Sequence, residues 1–404
     1  MKYYCGIDNS SQTHSICIID NDEKKVKSFS INNNLEGFKK LNTILTSYPN
    51  HGIGFELPHG PIVDFFRNNN KVIYSINPLK IKRFKQTTNT TGDKSDPIDA
   101  FAIGLYLKRN QNFTRPMMFN TKEIEMLNIY RLSYDRLRKE STRCKHKLRF
   151  LLSQYFPLLI NLFQDFGCKV LLNMILQYPT WNELKNTSKA ELIEFLNDNK
   201  YRAKNNIKKL LDKVDSYDQL ISEAAQECFS LEAKAISIVL LELLKKIKEI
   251  ENKMVLILKK HELGEVFLSL PGANTILASK LLAIFGDNKN RFENYKNVQC
   301  LYGTAPKNFS SGKYFKVVMR KACNKKARTS LYLFAFSSIK NCIWAREYYD
   351  KLRNKGKTHS VALRALSNKW VKVIFSMWKN NKVYDDNLYP IYENNQNQLN
   401  KKIA

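Results

Sequence analysis

Tyr3-Tyr4-Cys5-Gly6-Ile7-Asp8, followed at once by Asn9-Ser10-Ser11-Gln12, opens the chain as a short apolar strand that delivers a carboxylate at its end. Working outward, residues 15–19 and 25–31 read as two further strands, the first close enough to pair antiparallel with the opening one. The period then changes. Residues 35–45 carry helical spacing, 53–55 form a brief apolar strand, Pro61 opens a helix to about residue 67, and 72–76 form another strand.

Three antiparallel strands followed by α-β-α-β is the order of a ribonuclease-H-like (RuvC-like) fold, so the first 120 residues are expected to be an α/β domain. In that order the opening strand is central, and Asp8 stands above the end of the sheet. Glu56 ends the strand 52–55 in the same way, with Pro58 and Gly60 breaking the chain after it. Two more acids, Asp96 and Asp99, lie in Asp93-Lys94-Ser95-Asp96-Pro97-Ile98-Asp99-Ala100, where a loop enters a helix. A separation of three puts both on one helical face. Taken singly, each acid has an ordinary explanation: Asp before Pro caps a helix, and Asp99 suits the helix dipole. Together the four would repel one another unless divalent cations neutralised them. Oxygen donors favour Mg²⁺ (or Mn²⁺), and two such ions about 4 Å apart activate the attacking oxygen and stabilise the leaving one in phosphodiester cleavage.

The chain of 404 residues carries 66 Lys+Arg against 37 Asp+Glu, a formal charge of +29 that most simply serves a polyanion. DNA or RNA is therefore the expected partner, and a membrane is not. The longest apolar stretch, 266–285, is interrupted by Pro271, Gly272 and Lys280 and reads as core. The start shows no secretion signal, which places the protein in the cytoplasm. The 8 cysteines are scattered without a Cys-x-x-Cys pair, so neither a zinc site nor a disulfide framework is expected.

Residues 121–262 read as almost wholly helical. Ile236, Leu240, Leu243, Ile247, Ile250, Met254 and Ile257 advance alternately by four and three residues, a heptad seam that predicts a coiled coil between copies of the chain. The alternative is a long amphipathic helix packed within its own chain. A third, mainly helical region spans 263–385, with a basic and aromatic stretch between Lys307 and Arg328, and 386–404 reads as a loose tail. Pro271-Gly272-Ala273 fits either a helix-hairpin-helix-like turn on a DNA backbone or plain helix packing. His14, His51 and His59 lie near the acids in sequence and read as neutral surface residues, with His14 a candidate to support a metal ligand.

Gly6-Ile7-Asp8, Gly54-Phe55-Glu56, Asn77-Pro78 and Lys94-Ser95-Asp96-Pro97-Ile98-Asp99-Ala100 resemble, in order and spacing, the DEDD domain of transposases of insertion sequence family 110 and the related Piv-type DNA invertases. Leu270-Pro271-Gly272-Ala273, Gly286-Asp287, Arg291-Phe292, Tyr302-Gly303-Thr304-Ala305-Pro306 and Ser310-Ser311-Gly312 are similar to that family's C-terminal domain. The resemblance covers about 3–110 and 266–380, and the middle matches only as a helical spacer. Three departures stand out: Ser11 where the family usually has Lys, Leu57-Pro58 where it often has Thr-Gly, and a long spacer.

The resemblance implies that Asp8, Glu56, Asp96 and Asp99 hold the metal, and that Ser311 attacks the scissile DNA phosphate to form a transient phosphoserine link. Ser310 is adjacent and stays an alternative. As a bare pattern Ser-Ser-Gly is an ordinary turn. Lys313, Lys316, Arg320 and Lys321 would hold phosphate oxygens as charge develops. The resemblance further implies a guiding non-coding bridge RNA. Because Asp8 and Ser311 are far apart in sequence and separated by long helices, a dimer or tetramer is expected in which one subunit supplies the acids and another the serine. Lys80, Lys82, Arg83 and Lys85, with Arg136, Arg138, Arg143, Lys145 and Lys147, are the expected guide-backbone contacts or else solvated helix faces. Two other readings remain: a RuvC-like junction nuclease using only acids and water, and a non-catalytic basic scaffold.

Overall fold

The continuous apolar run of β1 (Tyr3–Asn9) suits a strand covered on both sides. In the computed structural model, which describes residues 1–88, 95–201, 204–217, 222–312 and 314–387, β1 lies in the middle of a five-stranded sheet. Asp93, Lys94, Lys313 and the tail 388–404 lie outside the described residues. Residues Met1–Phe119 form one compact unit and Asn120–Ala404 a second.

In the first unit β1 pairs antiparallel with β2 (Thr13–Ile19), which pairs antiparallel with β3 (Lys25–Asn32). After helix α1 (Leu35–Thr46), β4 (His51–Phe55) returns parallel to β1. Helix α2 (Pro61–Asn68) leads to β5 (Ile73–Ser75), parallel to β4, and the sheet order is β3-β2-β1-β4-β5. Helices α3 (Pro78–Thr88) and α4 (Asp96–Arg109) complete the unit. Alternation along β1 divides its side chains between two layers. Cys5 and Ile7 pack with Phe38, Leu41, Ile62 and Phe66 of α1 and α2, whereas Tyr4 packs with Ile103 and Leu107 of α4. Gly6 and Asp8 share the face of Tyr4, so Asp8 belongs to the α4 side.

The second unit is helical apart from one hairpin. Two long helices, α5 (Lys122–Tyr155) and α11 (Glu223–Lys260), enclose α6 (Pro157–Leu162), α7 (Lys169–Gln177), α8 (Trp181–Asn186), α9 (Lys189–Asp198) and α10 (Lys204–Ser216) in sequence. After them come α12 (Gly264–Leu268), α13 (Thr275–Phe285), α14 (Tyr295–Leu301), β6 (Pro306–Ser311), β7 (Tyr314–Met319), α15 (Lys325–Asn341), α16 (Ile343–Asn354) and α17 (His359–Asn380). Helices α5 and α11 run antiparallel. Ile124 and Leu127 at the start of α5 share a core with Met254 and Leu258 at the end of α11, while Leu148 and Leu152 share another with Ile236 and Leu240. The first of these cores continues through α13, α15 and α17, so spacer and C-terminal region are packed as one body.

This pairing changes the meaning of the heptad seam. Ile236, Leu240, Ile247 and Met254 are buried within the chain, with α5 supplying much of the surface that a second copy was expected to supply. The 3.5-residue spacing therefore records an intrachain helix pair. Leu243 and Ile250 do remain accessible, lining a groove of about 480 Å³ with Tyr130 and Leu137 of α5. The stretch 266–285 runs from α12 through α13, with Val266, Phe267, Leu270 and residues 278–285 buried, and no described helix is long and apolar enough to cross a membrane.

Candidate functional site

Glycine decides where the acids meet. A Cβ on Gly6 would collide with the Ala100 carbonyl and the Gly104 nitrogen, so the bare backbone of β1 lets α4 settle directly on the sheet. Moving back along α4 from Gly104 to Ala100 and on to Asp99 and Asp96 moves forward along β1 toward Asp8. From the other side, the register Ile7↔Phe55 brings Glu56, the residue after β4, level with Asp8. Two parallel strand ends and one helix start thus converge.

The electrostatics agree. Burial pushes the Asp8 carboxyl above its ordinary range, the charges of Asp99 and Asp96 push it further, and Lys85 and a backbone hydrogen bond from Asn9 act against them. Glu56 is likewise raised, first by burial and then by Asp8 and Asp99, with Lys85 opposing. The ammonium of Lys85, on α3, lies 2.6 Å from Asp99 Oδ1, with both side chains mostly buried. Among the described residues no three acidic, histidine or cysteine side chains close into one metal-sized shell. Lys85 supplies positive charge to Asp99, Asp8 and Glu56.

Lys85 is thus not the surface cation expected from its place in the basic run; its neighbours Lys80, Lys82 and Arg83 are. On α5, Arg143 pairs with Glu140, Lys145 with Asp165 and Lys147 with Glu232, while the charge of Arg138 also acts on Asp165 and Arg136 meets Ser133. His14 departs from expectation too. It is 1% exposed, its Nε2 meets Asn33 Oδ1 at 3.1 Å, and burial lowers its pKa. It secures the β2–α1 corner and is not a surface residue. His51 is half-buried against the Tyr48 carbonyl, and exposed His59 accepts Asn9 Nδ2 at its carbonyl, 2.9 Å away.

Immediately after Glu56, Leu57 has φ +75° and is exposed. A left-handed leucine is strained, and such residues collect at functional sites. The sequence signalled this position only as a departure from Thr-Gly.

Ser311 ends β6 and pairs with Tyr314 of β7, and Ser310 pairs with Phe315. Gly312, at φ +54°, follows Ser311 where the chain turns. The turn reading of Ser-Ser-Gly is correct, and the hairpin around it presents all six residues of β6 to solvent. Phe309, Tyr314 and Phe315 are exposed beside Lys307 and Lys316, a cationic and aromatic surface. Lys321, Lys325 and Lys326 extend it to the start of α15, while Arg320 is half-buried with its carbonyl accepting Arg328. Pro271-Gly272-Ala273 forms a tight turn whose Gly272 carbonyl accepts Ser337 Oγ of α15 at 2.6 Å, so on that side it serves helix packing.

Comparison with known proteins adds independent findings. Residues 5–157 match the transposase domain that bears the DEDD name of the IS110 group. Residues 264–350 match the family described as transposase IS116/IS110/IS902. Among curated relatives, the "Mini-circle putative transposase for IS117" of Streptomyces coelicolor is 24% identical over 395 residues, covering 92% of each chain. The "Insertion element IS110 uncharacterized 43.6 kDa protein" of the same organism is 24% identical over 300 residues, 73% of each chain. A 42 kDa protein of insertion element IS900 from Mycobacterium paratuberculosis is 30% identical over 127 residues, 31% of this chain and 32% of that one.

Proposed function

Because the chain belongs to the IS110 family of transposases, we propose that it cuts and rejoins DNA through Ser311, assisted by divalent ions at Asp8, Glu56, Asp96 and Asp99. The N-terminal unit acts as a ribonuclease-H-like (RuvC-like) domain, a reading supported by its β3-β2-β1-β4-β5 order. The carrying observation is the seating of α4 on β1, which couples the charges of all four acids.

The donor set suits a hard cation. It is all oxygen, comes from two strand ends and a helix start, and contains two carboxyls whose elevated pKa values a dication would relieve. When bound, Mg²⁺ or Mn²⁺ would polarise the scissile phosphate and stabilise the departing oxygen. The chain's residues do the rest. Ser311 Oγ attacks phosphorus, its proton leaves to a base or solvent, and the DNA 3′ or 5′ oxygen departs; reversing these steps at a new end rejoins the strand. Lys316 and Lys321 would neutralise the phosphate while Phe309, Tyr314 and Phe315 stack on bases or sugars.

A non-coding bridge RNA guides the choice of site, a reading supported by the family resemblance and by exposed cations on α3 and α5. Two copies share each active site, one giving acids and the other serine. The Leu243–Ile250 groove is an open apolar surface on the helix pair suited to that association. Adduct trapping tests the central reaction. Denatured mixtures of the protein with junction DNA and the element's RNA should retain a protein–DNA band in wild type and Ser310→Ala and lose it in Ser311→Ala. Cleaved DNA without any adduct would instead favour a nuclease that uses water.

A further inference from the structure

On the reading that the four carboxylates hold divalent ions, we infer that Lys85 is a positioning residue that occupies Asp99 until an incoming dication displaces it. The ammonium sits 2.6 Å from Asp99 Oδ1, and only 23% of the lysine side chain and 17% of the aspartate are exposed. Its charge also lowers the pKa of Asp8 and of Glu56, so it acts on acids from three separate elements.

The placement is built into α3. Phe84, the preceding residue, packs edge-on against Tyr106 of α4 at 5.3 Å and lies under the Arg109 guanidinium. That contact fixes the rotation of α3 about its axis, turning Lys85 inward while Lys80, Lys82 and Arg83 stay exposed. Lys85 therefore keeps like charges together in the metal-free protein, the condition under which they would otherwise push α4 away from β1.

One ammonium offsets a single unit of negative charge, whereas a dication offsets two and demands the same Asp99 oxygens. The two cations compete for Asp99. Metal affinity is then set partly by the cost of removing Lys85, and the freed ammonium remains beside the site where a phosphate would lie.

The test is Mn²⁺ binding to the full chain, measured by electron paramagnetic resonance of the free ion, with thermal unfolding alongside. Lys85→Gln should bind Mn²⁺ about ten-fold tighter than wild type, and Lys85→Arg within about two-fold of it. Metal-free Lys85→Gln should melt a few degrees lower, with the gap closing as Mn²⁺ is added. Should the glutamine variant fail to fold, Lys85→Met, which retains the apolar stem, carries the same comparison. Unchanged or weaker Mn²⁺ binding in the neutral variants overturns the competition. The underlying metal reading fails separately if wild type takes up no Mn²⁺ or if Asp99→Asn leaves uptake unaltered.

Discussion

Lys280 of α13 reaches Asp135 of α5 with a 2.6 Å ion pair, and Asp135 also faces Arg131 one turn earlier on its own helix. Lys280 is 8% exposed and lies 4.4 Å from the centre of the Tyr134 ring, while Arg131 is 4% exposed. A single carboxylate thus answers two buried cations. Asp135→Ala should destabilise the second unit by about 2–4 kcal/mol, because it strands buried charge. Urea unfolding followed by circular dichroism measures the loss, and a change below about 0.5 kcal/mol would show the pair to be solvated.

The contact of α4 with β1 predicts different outcomes for its two glycines. Gly6→Ala drives a methyl into the Ala100 carbonyl and should cost about 2–4 kcal/mol while separating the acids. At Gly104 an added Cβ comes no closer than 3.3 Å to Gly6 N and Tyr4 O, and alanine is favoured in a helix by about 1 kcal/mol. Gly104→Ala should therefore fall within about 1 kcal/mol of wild type. Equal effects at both positions in denaturant titrations would contradict the packing described.

Asp8 and Glu56 set a pH dependence in metal-free protein. Their native pKa values are raised above the ordinary 3.8 and 4.5, so the fold favours their neutral forms. The stability they contribute is fully present below those ordinary values and is lost as pH rises through the raised native values. At neutral pH Asp8→Asn should accordingly stabilise the metal-free protein, modestly because the carboxyl is partly exposed. Melting curves at pH 4 and pH 7.5, with chelator throughout, check the sign. A variant less stable at pH 7.5 would refute the electrostatic account.

The seam on α11 separates residues that hold the chain from those available to a second copy. Leu240→Glu places a charge in a closed core and should unfold the helical unit. If copies associate through the groove that both line, Leu243→Glu with Ile250→Glu should leave the unit folded and shift sedimentation toward monomer. Retention of the oligomer would move the association surface elsewhere.

If the active site is shared between copies, inactive partners should complement. A mixture of Asp8→Ala and Ser311→Ala proteins should regain on the order of a quarter of wild-type strand transfer, the share of correctly mixed sites in a random dimer. No recovery in a gel assay, with both proteins shown to associate, would place acids and serine in one chain.

Legibility in the sequence followed periodicity. Strands β1, β2 and β3 were readable within a residue or two because apolar runs end on polar turns, and the positions of Asp8 and Glu56 at strand ends came with them. The approach of α4 was not readable, since nothing local says that Gly6 faces Gly104 almost a hundred residues later. Lys85 looked like its exposed neighbours because helical phase relative to a sheet is a tertiary fact. Strands β6 and β7 went unread beyond the Ser-Ser-Gly turn, although Tyr314-Phe315-Lys316-Val317-Val318 has β-propensity, because their exposed faces lack hydrophobic alternation. The heptad was read as a seam, and Ile236, Leu240, Ile247 and Met254 of it are buried within the chain; a 3.5-residue repeat reports a neighbouring helix without saying whose it is.

Seating α4 on β1 also imposes an order in time. Strand β1 receives its covering helix only after the rest of the sheet has been synthesised, so Asp8 lacks Asp96 and Asp99 on every nascent chain that stops short of α4. Closing so long a loop is slow relative to local helix formation. An N-terminal fragment ending before α4 would carry Asp8 and Glu56 without the helix that seats on Gly6, which makes the α4–β1 contact a reporter of completed folding in this unit.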